Sequence, residues 1–222
     1  MKILELRLAT SSLAAQIEFY NSTLGLPIIA QSGQATMFQV GQSRLTFEAA
    51  THEVPGVYHF AFNIPHNQFE AARQWIESRA ALLADVNGET TFYSEHWNAH
   101  MLYFLDPQGN VLELIARHTL ANDQERFFDA ASLLNISEIG IATEDVAAQV
   151  ADVMARTASP VYRGPGSNTF TAVGDEYGLA IIVQQGRIWF PDTGKPAAQM
   201  SLTVIIDQHP QPVTLSTFGE VG

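Results

Sequence analysis

Three stretches of the chain alternate apolar and polar residues and then change period, so each predicts a strand followed by a helix. The first is Leu4-Glu5-Leu6-Arg7-Leu8-Ala9-Thr10, with Leu4, Leu6 and Leu8 on one side and Glu5, Arg7 and Ala9 on the other. Leu13, Ile17, Tyr20 and Leu24 then recur at helical spacing, with Ser11 or Ser12 placed to cap the start and Gly25 the end. The second stretch is Tyr58-His59-Phe60-Ala61-Phe62-Asn63-Ile64, followed by a helix over Phe69 to Ile76. The third is Ser137-Glu138-Ile139-Gly140-Ile141-Ala142-Thr143, followed by Val146, Val150, Val153 and Met154 as a helical stripe.

Each unit also closes alike, on two apolar strands joined by a tight turn. Met37 to Val40 turns at Gly41-Gln42 into Leu45 to Glu48. Leu102 to Leu105 turns at Asp106-Pro107-Gln108-Gly109 into Val111 to Leu114, and Phe170 to Val173 turns at Gly174 to Gly178 into Leu179 to Val183. Asp-Pro-x-Gly makes a turn for a physical reason, since proline presets φ and glycine tolerates positive φ. Room for one more strand between helix and hairpin makes the unit βαβββ, and a pattern repeated three times takes precedence over any single-domain reading. The fold class expected is α+β, with tandem units forming a cupped mixed sheet. Residues 1–118 hold two paired units (1–50 and 56–118), 119–133 a short helix-bearing linker, and 134–222 a third, degenerate unit. A late strand over 201–206 and a loose tail around Pro210 and Pro212 complete the third segment.

Composition narrows the class. With 46% apolar and 15% charged residues the 222-residue chain can build a packed core. A net charge of −12 argues against nucleic acid and anionic membranes as partners, because both need basic patches. The absence of cysteine excludes disulfides, zinc-thiolate sites and cysteine nucleophiles, and fits a cytoplasmic location. No signal-peptide pattern opens the sequence, and no apolar run approaches the roughly 20 residues that span a bilayer.

The doubled unit, closed by Asp106-Pro107-Gln108-Gly109-Asn110-Val111-Leu112-Glu113-Leu114, resembles the vicinal oxygen chelate superfamily of glyoxalases, extradiol dioxygenases and bleomycin-resistance proteins. The resemblance implies a cup whose metal ligands come from the first and last strands of each unit. Carried over residue by residue, it implies His59 and Glu113 in unit two and Glu48 on the last strand of unit one. The first-strand position of unit one, commonly histidine or glutamine, is held by Glu5, which departs from the pattern. Unit three has Glu138 on its first strand but Ile182 on its last, so its site reads as broken and Glu138 as structural. The residues support this independently, because a glutamate within an apolar strand is costly to bury without a partner and one cation would offset several such costs. Glu48 and Glu5 are also candidate catalytic groups. His100, in Glu95-His96-Trp97-Asn98-Ala99-His100, reads either as a base or substrate contact or as a hydrogen-bonded strand histidine, with Trp97 a pocket wall and His96 a loop residue. The remaining histidines lie by turns or ends.

The resemblance implies a small-molecule substrate and a divalent cofactor, Mn, Fe, Ni, Mg or Zn, with three carboxylates favouring harder ions. A metal-dependent lyase or isomerase that chelates neighbouring oxygens and stabilises an enolate-like intermediate is the first reading. An extradiol ring-cleaving dioxygenase is the second, although that chemistry wants two histidines and one carboxylate. A metal-free protein binding a bleomycin-like antibiotic is the third. Because paired units make the cup, the odd third unit has two possible partners. Either it pairs with the same unit of a second chain, giving a homodimer, which is the preferred reading, or it packs with the late strand 201–206 as a degenerate half.

Overall fold

The computed structural model describes residues 1–207 and 210–217. Unit one comprises β1 (Lys2–Thr10), α1 (Leu13–Ile17), β2 (Ile28–Gln31), β3 (Ala35–Val40) and β4 (Ser43–Ala49). Ser12 caps α1 by accepting from the Ala15 amide at 3.3 Å, and the helix runs on as a π-turn over Glu18–Thr23 that buries Phe19 and Tyr20. Unit two comprises β5 (His59–Ile64), α2 (Phe69–Glu77), β6 (Thr91–Ser94), β7 (Ala99–Leu105) and β8 (Val111–Arg117). Unit three comprises β9 (Asn135–Thr143), α3 (Val146–Thr157), β10 (Phe170–Asp175) and β11 (Gly178–Gln184). Its remaining strand is reduced to a bridge between Val161 and Val173. The linker holds one 3-10 turn, Ala130–Ser132, capped by Asp129. On α3 the stripe is shorter than expected: Val146 and Val153 are buried, whereas Met154 faces solvent.

The strands form two mixed sheets, in the orders β13-β12-β1-β4-β3-β2 and β10-β11-β9-β5-β8-β7-β6, where β12 is Leu202–Asp207 and β13 Val213–Thr217. This is the expected α+β class with a different pairing. Units one and two do not share a sheet. Unit two pairs with unit three through the antiparallel strands β5 and β9, and unit one pairs with the C-terminal strands through β1 and β12. The third unit therefore has its partner within the chain, which removes the reason for expecting a homodimer. The expected loose tail is in part a strand, β13, paired along β12; its last five residues and His209 lie outside the described ones.

Alternation decides which side of the second sheet faces the core. Phe60, Phe62, Leu112, Leu114, Ile139 and Ile182 join a cluster that also takes Leu6, Leu8, Phe38 and Phe47 from the first sheet and Trp75 and Ile76 from α2. Burying such side chains stabilises the fold by roughly 1.5–3 kcal/mol each. The residues between them point the other way, into the hollow of the curled second sheet, where Ala61, Met101, Tyr103, Val111, Ile115, Ile181 and Trp189 form a second cluster. Among the described residues no helix is long and apolar enough to cross a membrane.

Candidate metal centre

The hollow of the second sheet holds a cavity of about 220 Å³ whose floor carries His59, Glu113 and Glu138. All three are buried, and each offers a ligand atom within 4.8 Å of the other two. They come from β5, β8 and β9, neighbouring strands at the centre of the sheet. Parallel pairing sets Ala61 beside Glu113, and antiparallel pairing sets Ala61 beside Glu138, so the small side chain at Ala61 leaves room for both carboxylates.

The closing turn of unit two holds the histidine in place. Asp106 Oδ1 accepts from the Gln108 and Asn110 amides at 2.9 Å, and Gly109 takes φ +82°. Asn110 Oδ1 then accepts from the Tyr58 amide at 2.8 Å, which anchors the start of β5. One residue on, His59 Nδ1 lies 3.1 Å from the Val111 carbonyl. A carbonyl only accepts, so Nδ1 carries the proton and Nε2 presents a lone pair. That lone pair faces Glu113 Oε2 at 3.7 Å. The Trp189 ring covers the imidazole at 4.9 Å between centroids.

Burial lowers the His59 pKa to about 4, against the opposing pull of the Val111 carbonyl. Burial, and then the charge of Glu138, push Glu113 well above the usual carboxylate range, against Arg117 and the Tyr103 hydroxyl. Burial also raises Glu138, with Arg117 opposing. Arg117, fully buried, donates from Nη2 to Glu138 Oε1 and to Ser137 Oγ at 3.2 Å, and its guanidinium lies over Trp97 at 5.2 Å and Tyr162 at 5.8 Å. Two carboxylates against one guanidinium leave a surplus of negative charge. Glu113 Oε1 has no hydrogen-bond partner among the described residues.

This donor set fits a divalent ion. Atoms each about 2.0–2.2 Å from one ion lie roughly 3–4 Å apart, the spacing His59 and Glu113 already have. One imidazole and two carboxylates suit Mn, Fe, Ni, Mg or Zn.

Of the expected site residues, His59 and Glu113 meet. Glu5 and Glu48 do not join them, because both belong to the first sheet. There Arg7 pairs with Glu5 at 2.7 Å and with Glu48 at 3.6 Å, and Arg44 reaches Glu5 at 3.1 Å. Register shows why Glu48 was misplaced. Two residues beyond the first-strand position, Ala61 pairs with Glu113; the matching residue in unit one, Arg7, pairs with Thr46. Thr46, not Glu48, holds the last-strand position, and it donates to Glu5 at 3.3 Å. In unit three Gly140 pairs with Ile181, so Ile181 rather than Ile182 is the apolar residue at the fourth position.

His100 lies on the opposite face of β7 from Met101 and Tyr103. Its Nδ1 is 2.7 Å from His118 Nε2, and its ring packs on Phe69 and Tyr93, away from the cavity. Trp97 does line the cavity. Glu138, expected to be structural, is the third ligand candidate. Its signal was present in the sequence, since Glu138 aligns with His59 when the first strands are superposed. Arg117 and Trp189 carried no comparable signal.

A family model described as the Glyoxalase/Bleomycin resistance protein/Dioxygenase superfamily matches residues 2–182. Among solved structures the chain is similar to a putative dioxygenase from Bacillus subtilis subsp. subtilis str. 168, at 15% identity and a TM-score of 0.59, covering 82% of this chain and 63% of that one. It is also similar to glyoxalase I from Zea mays, at 13% identity and a TM-score of 0.55, covering 82% and 66%. A shorter glyoxalase/bleomycin resistance protein/dioxygenase from Nocardioides is 20% identical, covers 58% of this chain and 89% of its own, and has a TM-score of 0.43. The match spans less than two thirds of the Bacillus and maize chains. No curated protein matches. At these identities the likeness of the solved structures concerns the fold.

Proposed function

Since the chain belongs to the glyoxalase/bleomycin resistance protein/dioxygenase superfamily, we propose that its cavity is the active site of a metal-dependent lyase or isomerase acting on a small substrate with two neighbouring oxygens. The observation that carries this reading is the meeting of His59 Nε2 with the Glu113 and Glu138 carboxylates on one buried floor. A divalent ion bound there supplies Lewis acidity, drawing charge from the substrate's oxygens.

The protein's own groups do the rest. His59, held by the Val111 carbonyl, contributes a neutral nitrogen at physiological pH. Glu138 is fixed by Arg117 and is the less free of the two carboxylates. Glu113 has an oxygen without a partner among the described residues and a raised pKa, the properties of a group that takes a proton from a carbon beside a carbonyl and returns it. Trp97, Phe170 and Phe190 wall the cavity. The same aromatic walls favour a second reading, ring cleavage of a catechol by an iron-bearing site. A metal-free binding protein is the third, favoured by the cation that Arg117 already supplies to Glu138.

Elemental analysis of protein purified without chelator separates them. Manganese, nickel, zinc or magnesium near one per chain, lost in Glu113→Gln and Glu138→Gln, supports the first reading. Iron with oxygen uptake on catechols supports the second. Protein that takes up none of these ions when they are supplied refutes both and leaves the third. A cytoplasmic location fits the cysteine-free sequence under all three.

A further inference from the structure

The segment after β11 folds back on itself and covers the cavity. Ala197 donates to the Arg187 carbonyl at 2.8 Å, Trp189 to the Lys195 carbonyl at 3.0 Å, and Ile188 bridges to Pro196. Three of its residues, Arg187, Trp189 and Phe190, line the cavity. Gly140 makes room for this cover, because a Cβ there would lie 2.6 Å from the Trp189 ring.

Arg187 stands apart from the other arginines. Arg7, Arg44, Arg73, Arg117, Arg126, Arg156 and Arg163 each pair with a carboxylate, and Arg79 donates to the Trp75 carbonyl of its own helix. The Arg187 guanidinium has neither kind of partner among the described residues. It lies over the Phe170 ring at 5.2 Å, exposed at the cavity mouth. In a chain with 23 acidic and 11 basic residues, a guanidinium left without a carboxylate beside a cavity is free to take one from a ligand. Trp189, buried in the cavity wall, likewise leaves its indole N–H without an acceptor among the described residues. Apart from Arg187, Ser94 and the floor residues His59, Glu113 and Glu138, the lining is apolar and aromatic, and the 220 Å³ suits one substituted ring, since a cavity of about 150 Å³ holds benzene.

We propose that the cavity takes a planar aromatic anion, its ring among Trp97, Phe170, Trp189 and Phe190 and its carboxylate on Arg187. This rests on reading the cavity as the substrate site but not on a metal being bound.

The test is ¹⁹F NMR titration of chelator-treated protein with 4-fluorobenzoate and with its neutral counterpart 4-fluorobenzamide, lactate serving as an aliphatic competitor. The expected result is binding of the benzoate about tenfold tighter than the benzamide, a preference abolished by Arg187→Gln, with lactate failing to displace either. Equal affinity for the two ligands, a preference that survives Arg187→Gln, no binding of either, or displacement by lactate would each overturn the proposal. Elemental analysis tests the metal reading separately, so the two can fail independently.

Discussion

At the scale of single residues, the floor of the cavity is a problem of protons. His59 offers a lone pair to a carboxylate 3.7 Å away, and two carboxylates share one arginine. Without a cation the least costly state puts a proton on Glu113, whose pKa burial and Glu138 both raise. An ion must displace that proton, so metal binding at pH 7 is expected to release about one proton and to weaken as pH falls. Titration calorimetry in buffers of different ionisation enthalpy measures the number released; none would mean that Glu113 is already ionised. For the folding equilibrium the raised pKa means that the folded chain holds more protons than the unfolded one above the unfolded value. The contribution of Glu113 to stability is then full below that value and lost as pH rises through the folded pKa. His59 works in the opposite sense: its depressed pKa removes stability as pH falls from about 6.5 towards about 4. A pH scan therefore mixes the two, and substitution separates them. At pH 7 Glu113→Gln, which cannot ionise, is expected to stabilise chelator-treated protein by about 1–3 kcal/mol while abolishing metal uptake. A lower melting temperature than the chelator-treated parent, with metal retained, would contradict this account.

At the scale of elements, what repeats in the sequence also repeats in space. Alternation identifies β1, β5 and β9 and the closing hairpins, because a strand buried on one face must keep period two. The Asp106 to Asn110 turn was legible as a turn from its composition. Its second role, tying β5 to β8 so that His59 points its lone pair inward, follows from the Asn110 side chain and could not be read from spacing. Register was the harder part. Glu48 and Glu113 look equivalent because each is the glutamate of a closing strand, yet Glu113 lies four residues past Gly109 and Glu48 six past Gln42, so the true match is Thr46. The cover over the cavity was legible only as a turn-rich break, since Arg187 to Pro196 has no period. Its fit against β9 depends on Gly140. Gly140→Ala would drive a methyl into Trp189 and towards His59, and is expected to destabilise the protein by about 1–3 kcal/mol and weaken metal binding at least tenfold. Thermal melting with and without metal checks both effects. Unchanged melting and affinity would mean that the cover moves aside freely.

At the scale of the whole molecule, the decisive fact is which unit pairs with which. Each first strand offers an edge that any other first strand could take, and alternation fixes which residues face inward but not the partner. Glu5, Glu48, His59 and Glu113 could therefore be nominated together although only two of them share a hollow. The two sheets have diverged. In the second sheet the carboxylates outnumber the one buried arginine, whereas in the first Arg7 and Arg44 neutralise Glu5 and Glu48. An ion entering the first sheet would have to displace two arginines from a half-solvated cluster for little return. One ion per chain is expected, not two. Glu5→Gln and Glu48→Gln should each leave metal stoichiometry and affinity within about twofold of the parent, because neither lies in the hollow that holds His59, Glu113 and Glu138. Glu138→Gln should reduce affinity at least a hundredfold, because it removes a charged ligand and leaves Arg117 buried without its counterion. Competition against a metallochromic chelator measures all three variants. If Glu5→Gln or Glu48→Gln lost the metal while Glu138→Gln kept it, the working hollow would be that of the first sheet, and the arginines there would have to be its ligand-binding groups.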